Sequence, residues 1–190
     1  MALEDGEKPG SSCLVVMRKP KDCTILLLRV VAFLATLSAT LVMALNKETK
    51  TLVVATIGTT PVKATLTAKF QHNPANVYFV VANGMASLHN LLMIIVQIFG
   101  DKFKDKGLRL VMMAILDMMT VALASSGDGA ATFMAQLGKK GNSHAQWNKI
   151  CDKFGKFCDH GGGALIASYI GLLLLVVITV LSIIKLLKTK

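Results

Sequence analysis

Charged residues, tryptophan and proline are scarce in this 190-residue chain: 17% of the residues are charged, one is Trp and four are Pro. Negative charge is scarcest, with 11 Asp and Glu against 21 Lys and Arg, which gives a net charge of +10. The chain is instead 53% hydrophobic, with a mean hydropathy of +0.57. Its apolar runs are too long for a soluble basic domain, so we expect a membrane protein.

Several motifs that carry enzyme chemistry are also missing. No two of the four cysteines have Cys-x-x-Cys spacing, which argues against a thiol oxidoreductase. His144 and His160 have no cluster of metal-ligand spacing around them. The sequence contains no P-loop, nucleophile elbow or dinucleotide fingerprint. We therefore expect a protein that is not an enzyme and holds no metal or other cofactor.

Long hydrophobic runs are what the chain has in abundance. A transmembrane helix needs about 20 mostly apolar residues, and four stretches approach that length. They predict spans at 24–45, 77–99, 110–137 and 164–187. The predicted fold class is an all-α membrane protein, a bundle of four transmembrane helices with a small extracellular β-hairpin and a short extracellular helix.

The distribution of basic residues predicts the orientation, because four spans place both termini on one side. Segments 1–23, 100–109 and 185–190 together hold 11 Lys and Arg in 39 residues. The two remaining loops, 46–76 and 138–163, hold 9 in 57 residues. The N-terminal tail and residues 188–190 are therefore expected in the cytosol, and loops 46–76 and 138–163 outside. The positive charge favours contact with anionic membrane lipid, and no nucleic-acid motif is present.

The first outer loop predicts the hairpin. Apolar and polar residues alternate from Val62 to Phe70, as in a half-buried strand, and Thr51–Ile57 is rich in β-branched residues. The intervening segment from Gly58 to Pro61 has turn chemistry. A lone hairpin is marginal in water, so we expect it to lie against the second outer loop.

The second outer loop predicts a short helix that begins at Asn142 or Ser143. Its apolar face consists of Trp147, Ile150, Cys151 and Phe154. Trp147 either anchors at the membrane interface or, as we favour, fills a small extracellular core.

Two cysteines of this loop are candidates for a disulfide. In a continuous helix the Cα atoms of Cys151 and Cys158 would lie about 10 Å apart, beyond the roughly 4.4–6.8 Å that a disulfide allows. A helix that ends at Gly155 would bring them together. The oxidising exterior favours the bond, although two free thiols are the alternative.

Two ionisable residues lie inside predicted spans, Arg29 in the first and Asp117 in the third. Such a residue near the bilayer centre costs roughly 2.5–3.5 kcal/mol, so it is usually paired or functional. Both lie at similar depths, about 7.5 and 10.5 Å from the cytosolic edge by helix rise. We expect an ion pair between them, although Arg29 could instead snorkel to the headgroups.

Further polar residues lie in the second span, where we expect interhelical hydrogen bonds: Asn83, His89 and Asn90. Small residues mark the faces expected to pack against other helices. These are Ala32, Thr36 and Thr40 in the first span, Gly84 in the second, and Gly163, Ala167 and Gly171 in the fourth.

The sequence resembles the plant CASP-like proteins, relatives of the Casparian strip membrane domain proteins and more distantly of the four-span MARVEL group. The resemblance covers about residues 24–184, and joint occurrence of its motifs in this order is specific. In chain order they are Arg29-Val-Val-Ala-Phe-Leu-Ala-Thr-Leu-Ser-Ala, Asn46-Lys-Glu-Thr, Tyr78-Phe-Val-Val-Ala-Asn-Gly, Asp117, Ser126-Gly-Asp-Gly-Ala-Ala, Leu137-Gly-Lys-Lys-Gly-Asn-Ser-His-Ala-Gln-Trp, Cys151, Phe154, Cys158 and Gly162-Gly-Ala-Leu.

This resemblance implies a plasma-membrane protein with cytosolic termini that forms homo- and hetero-oligomers with related CASP-like proteins. The Arg and Asp that mark the family fall on Arg29 and Asp117. Casparian members act as scaffolds for local cell-wall deposition, which implies extracellular wall-modifying partners. Their signature in the first outer loop is absent from 46–76, which favours a CASP-like relative over a Casparian-strip protein. The alternative function is a small channel or transporter with a polar path near Asp117, His89 and Asn83.

Overall fold

The computed structural model describes residues 20–99 and 106–188. Four long helices dominate this part of the chain, and a two-stranded sheet follows the first. In chain order the elements are α1 (Pro20–Ala44), β1 (Lys47–Ile57), β2 (Thr60–Lys69), a short 3₁₀ turn (Phe70–His72), α2 (Pro74–Phe99), α3 (Lys106–Lys140) and α4 (Gly155–Leu187). All four helices are long and apolar enough to cross a membrane, which confirms a multi-pass membrane protein.

Local sequence sets the helix ends. Asn73 caps α2, because its Oδ1 accepts the backbone N–H of Ala75 at 3.0 Å, and Pro74 occupies the first helical position, where its missing N–H costs nothing. α3 ends at Lys140, and the next residue, Gly141, has a φ of +69° that favours glycine and an N–H that bonds to Leu137 O at 2.7 Å.

The helices form a ring in which α1 packs against α2 and α4, and α3 also packs against α2 and α4. α1 and α3 therefore occupy diagonal corners. We call the end of the bundle that carries β1 and β2 the hairpin end. An apolar core near that end joins all four helices; its buried members are Ala39, Met43, Phe79, Ala131, Ala164 and Leu165.

The predicted hairpin is confirmed. β1 and β2 are antiparallel, with a bulge between Val53 and Ala55, and the connecting turn contains Gly58 at φ +64°. β1 begins four residues nearer the bundle than predicted, where Lys47 pairs with Lys69, whereas β2 ends at Lys69, one residue short of the prediction.

The short helix predicted around Trp147 is wrong. Asn142 and Trp147 pair as an isolated β-bridge around a turn, in which Asn142 Oδ1 accepts two backbone N–H groups and Gln146 has a φ of 53°. These local bonds compete with a helix. Trp147 is 55% exposed, so it does not fill a small core. The helical structure of this segment begins at Gly155 instead, as an extension of α4.

Candidate functional site

A salt bridge joins α1 and α3 across the bundle. Arg29 Nη1 donates to Asp117 Oδ1 at 3.0 Å, and Nη2 donates to Oδ2 at 2.6 Å. The Arg29 and Asp117 side chains are 3% and 0% exposed. A long side chain is needed because these helices are diagonal neighbours, and the guanidinium fork matches both carboxylate oxygens.

The same carboxylate contacts the remaining two helices. Nε2 of His89, on α2, lies 2.8 Å from Asp117 Oδ1, and Ser182 Oγ, on α4, donates to Oδ2 across 3.4 Å. An ionised carboxylate only accepts hydrogen bonds, so Nε2 carries the hydrogen. We call Arg29, His89, Asp117 and Ser182 the Asp117 layer. It links all four helices through one anion, which pairs with the Arg29 guanidinium.

A second polar cluster lies nearer the hairpin end and involves α2, α3 and α4. Ser168 Oγ lies 2.6 Å from both Asn83 Oδ1 and Asp128 Oδ1. Asn83 Nδ2 donates to Phe79 O at 3.2 Å and makes a longer contact of 3.3 Å with Asp128 Oδ1. We call Asn83, Asp128 and Ser168 the Asp128 layer; each of its side chains is at most 1% exposed.

A buried apolar layer separates these two clusters. It consists of Ala86, Ala124 and Leu175, which occupy the intervening positions of α2, α3 and α4 and are at most 1% exposed. Asp117 and Asp128 are 11 residues apart on α3, about 16 Å along the helix. Buried hydroxyl side chains share this interval, and each donates to a carbonyl oxygen of its own helix; they are Thr36, Ser87, Thr120 and Thr179.

The polar residues noted in the second span have three different sets of contacts in the structure. His89 joins Asp117, whereas Asn83 belongs to the Asp128 layer. Asn90 donates to Ala86 O of its own helix at 3.0 Å, and among the described residues its buried Oδ1 has no hydrogen-bond partner. The three residues of the alternative polar path therefore lie in two separate layers.

The predicted packing residues have different surroundings. Gly171 is the tightest position, because a Cβ there would lie 2.8 Å from Thr36 Cγ2. Gly84 faces Thr40 in the same way at 3.8 Å. Ala32 and Thr36 are buried, and Ala167 is half-buried against the core near the hairpin end.

Gly163 does not pack as predicted. It is exposed, and a Cβ there would meet nothing within 4 Å among the described residues. The small-residue pattern placed it on the packing face, but it lies on the outward side of α4. Gly127 of α3 has the close approach instead, since a Cβ there would lie 2.8 Å from Ala82 Cβ.

The predicted disulfide is confirmed. Cys151 and Cys158 are bonded, with their Cα atoms 5.6 Å apart. The expected geometry was wrong, because Gly155 begins a helix and does not end one: Cys158 lies in the first turn of α4, and Cys151 in the turn before it. The N–H groups of Ile150 and Cys151 bond to Gly138 O, so this segment also rests on the end of α3.

β1 and the residue before it hold the start of α4 through two side chains. Asn46 Nδ2 donates to Phe157 O at 2.7 Å, and the N–H of Phe157 donates to Glu48 Oε2 at 2.8 Å. Phe157 is the third residue of α4, where backbone N–H groups lack helical partners, and Phe154 supplies no side-chain cap. Glu48 therefore caps α4 from a distant strand.

The hydrogen bond from the Phe157 N–H lowers the pKa of Glu48 below its usual value of 4.5, and Lys50, 3.0 Å away, acts in the same direction. The ionised carboxylate is thus the form that the folded hairpin end prefers. The hairpin does lie against the predicted second outer loop, but its contact is with the helical part of that segment.

Sequence reasoning missed Asp128, Ser168, Ser182 and the role of Glu48. Asp128 carried a usable signal, because 11 residues are close to three helical turns and place it on the same face of α3 as Asp117. The two serines carried none, since serine is common in spans. Within residues 20–99 and 106–188, no group of three or more His, Cys, Asp or Glu is placed to hold a metal ion.

Comparison with known proteins identifies close relatives. Residues 18–174 match the family described as the Casparian strip membrane protein domain. The chain is 67% identical to CASP-like protein 1B1 of Populus trichocarpa, over 98% of this chain and 96% of the relative. It is 65% identical to CASP-like protein 1B1 of Ricinus communis, over 94% and 89%, and 62% identical to CASP-like protein 1B2 of Arabidopsis thaliana, over 84% and 81%. No solved structure matches it.

Proposed function

The chain belongs to the CASP-like family, defined by the Casparian strip membrane protein domain, and we propose that it is a non-enzymatic scaffold of the plasma membrane. It self-associates, and associates with related CASP-like proteins, into oligomers that form a membrane platform. Its termini face the cytosol, and the hairpin end faces the cell wall, where the platform positions wall-modifying proteins.

The observation that carries this proposal is the separation of the two polar layers inside the bundle. Ala86, Ala124 and Leu175 lie between the Asp117 and Asp128 layers, and both oxygens of Asp117 accept hydrogen bonds from neighbouring helices. A channel or transporter would need water or ions to pass between these layers. Buried polar groups that bond to one another instead fix helix positions, as a rigid scaffold subunit requires.

The outward faces of the helices supply surface for lateral contacts. A shallow groove of about 260 Å³ lies between α3 and α4. Its lining is almost entirely apolar and consists of Met118, Val121, Ala122, Val176, Thr179, Val180 and Ile183. In lipid, helices associate through close packing, so a concave apolar surface suits a side chain of a second copy.

Self-association is tested by counting subunits of tagged protein in native membranes and by measuring its fluorescence recovery after photobleaching. The proposal expects slowly recovering multimers, and a freely diffusing monomer contradicts it. Ala122→Phe fills the groove between α3 and α4 and should reduce the subunit count. Leu41→Phe, on the exposed face of α1, is the matched control and should leave the count unchanged.

The transport alternative is tested separately by ion and solute flux in proteoliposomes. The scaffold proposal expects the wild-type protein to match empty liposomes. Flux that is present in the wild type and is lost in Asp117→Asn would contradict the proposal and support a polar path through the Asp117 layer.

A further inference from the structure

In the Asp128 layer, one oxygen atom lies very close to two others. Two oxygen atoms approach so closely only when a hydrogen lies between them. Ser168 Oγ makes two contacts of 2.6 Å, one with Asn83 Oδ1 and one with Asp128 Oδ1. Each contact has the length of an O–H···O hydrogen bond, so each needs its own hydrogen. The Ser168 hydroxyl supplies only one.

The amide of Asn83 does not supply the second hydrogen. Asn83 Nδ2 donates to the backbone carbonyl of Phe79 at 3.2 Å. If the amide were flipped, its oxygen would face that carbonyl and Asp128 Oδ1, and three acceptors would meet without a donor. Asn83 Oδ1 therefore faces Ser168 and accepts its hydrogen.

The surroundings of the Asp128 carboxyl group indicate that this group carries the second hydrogen. Among the described residues, no Lys, Arg or His lies within salt-bridge distance of Asp128, and its buried Oδ2 has no hydrogen-bond partner. A bare anionic oxygen buried in a membrane-spanning helix is costly, whereas the carbonyl oxygen of a neutral acid costs much less.

The groups that flank this layer offer no compensating charge. The titratable side chains on adjacent turns are Tyr78 of α2 and Tyr169 of α4, and they bond to Ser126 Oγ and Thr132 Oγ1. On α1 the buried positions at this level are the apolar Ala39 and Met43.

We propose that Asp128 is a proton-binding site inside the membrane, held as a neutral carboxylic acid at neutral pH. Its O–H donates to Ser168 Oγ, and the Ser168 hydroxyl donates to Asn83 Oδ1. One bound proton thereby connects α3, α4 and α2 by a directed chain of hydrogen bonds. Deprotonation would release that proton to solvent and leave an anion without a cation beside it.

A bound monovalent cation is the competing occupant. A metal ion would sit between its oxygen ligands and hold them about 3 Å apart or more, whereas the contacts here are 2.6 Å. The oxygen spacing therefore favours a proton.

Infrared spectroscopy of the full chain in nanodiscs tests the proposal, because a protonated carboxyl has its own C=O stretching band. The proposal expects this band in the wild type at neutral pH, a shift in D₂O, and its loss in Asp128→Asn. Glu48→Gln, which removes a carboxyl group at the hairpin end, is the control and should keep the band. A wild type without the band, or a band that survives in Asp128→Asn, overturns the proposal.

Stability gives a second readout. Asn can donate to Ser168 as the neutral acid does, so Asp128→Asn should melt within a few degrees of the wild type, whereas Asp117→Asn, which strands a buried Arg29, should melt much lower. Equal losses in the two variants would contradict a neutral Asp128. Wild-type stability that rises with sodium concentration, but not in Asp128→Asn, would assign the site to a cation instead.

Discussion

Two carboxylates, Asp117 and Glu48, each bind elements distant in sequence, one inside the bundle and one at its hairpin end. Asp117 is fully buried and accepts hydrogen bonds from three other helices. Glu48 is 8% exposed, caps the N–H of Phe157 at 2.8 Å and pairs with Lys50, which is 45% exposed.

The difference between these sites lies in what surrounds the charges. In lipid, no water replaces a lost partner, so removing Arg29 leaves Asp117 as an uncompensated ion. At the hairpin end, water solvates whatever Glu48 releases, and surface ion pairs contribute little. The same chemical group should therefore be essential inside the bundle and only supportive outside it.

Arg29→Ala should cause the largest loss. It strands a buried carboxylate, and breaking a buried ion pair in this way typically costs about 3–5 kcal/mol. The measurement is folded yield and melting temperature in nanodiscs, with Leu34→Ala on the exposed face of α1 as the control. If Arg29→Ala and Leu34→Ala melt alike, the Asp117 layer does not hold the bundle.

Two double variants sharpen this prediction. Exchanging the charges in Arg29→Asp/Asp117→Arg should restore part of the yield, although not all, because the new Arg would face His89. Replacing both ions in Arg29→Met/Asp117→Leu should cost less than either single change, since two apolar groups leave no unpaired charge. Additive losses would mean that Arg29 and Asp117 are not coupled.

Removing the disulfide should have the next largest effect, confined to the hairpin end. The Cys151–Cys158 loop is short, so Cys151→Ser/Cys158→Ser should lose about 2–3 kcal/mol by the chain-entropy estimate. Hydrogen exchange should accelerate in residues 141–160 and remain unchanged around Asp117. Accelerated exchange throughout the four helices would show that the two ends are not independent.

His89 should matter less than Arg29, because it donates a hydrogen bond without needing a charge. His89→Leu removes one of the two donors to Asp117 Oδ1, a loss of about 1–3 kcal/mol. His89→Gln offers an amide N–H in the same region and should recover much of that loss. If Gln and Leu are equally destabilising, the contact contributes by shape and not by hydrogen bonding.

The sequence predicted the helices and the Arg29–Asp117 pairing well for physical reasons. Apolar runs are long, and a charge within them has few stable arrangements. It failed around Trp147, where helical spacing of apolar residues was outweighed by the local bonds of Asn142 and the left-handed Gly141. It missed Asp128 because a carboxyl that pairs with hydroxyl and amide groups leaves no oppositely charged residue to search for.

The smallest expected effect belongs to Glu48, and its pH dependence distinguishes it from Asp117. Because the Phe157 hydrogen bond lowers the folded-state pKa of Glu48, its contribution is complete above the ordinary value of 4.5 and is lost as pH falls through the lowered folded-state pKa. Exchange of the Phe157 amide should therefore accelerate in acid beyond its intrinsic change with pH.

Two variants separate the hydrogen bond of Glu48 from its charge. Glu48→Ala should expose the Phe157 amide at every pH, whereas Glu48→Gln keeps an acceptor oxygen and should retain partial, pH-independent protection. Thr51→Ala, on the exposed face of β1, is the control and should behave like the wild type. Equal protection in the wild type and Glu48→Ala would mean that the strand does not cap α4. The hairpin end would then depend on Asn46 and the disulfide, and the comparison with Asp117 would no longer be one between two carboxylates.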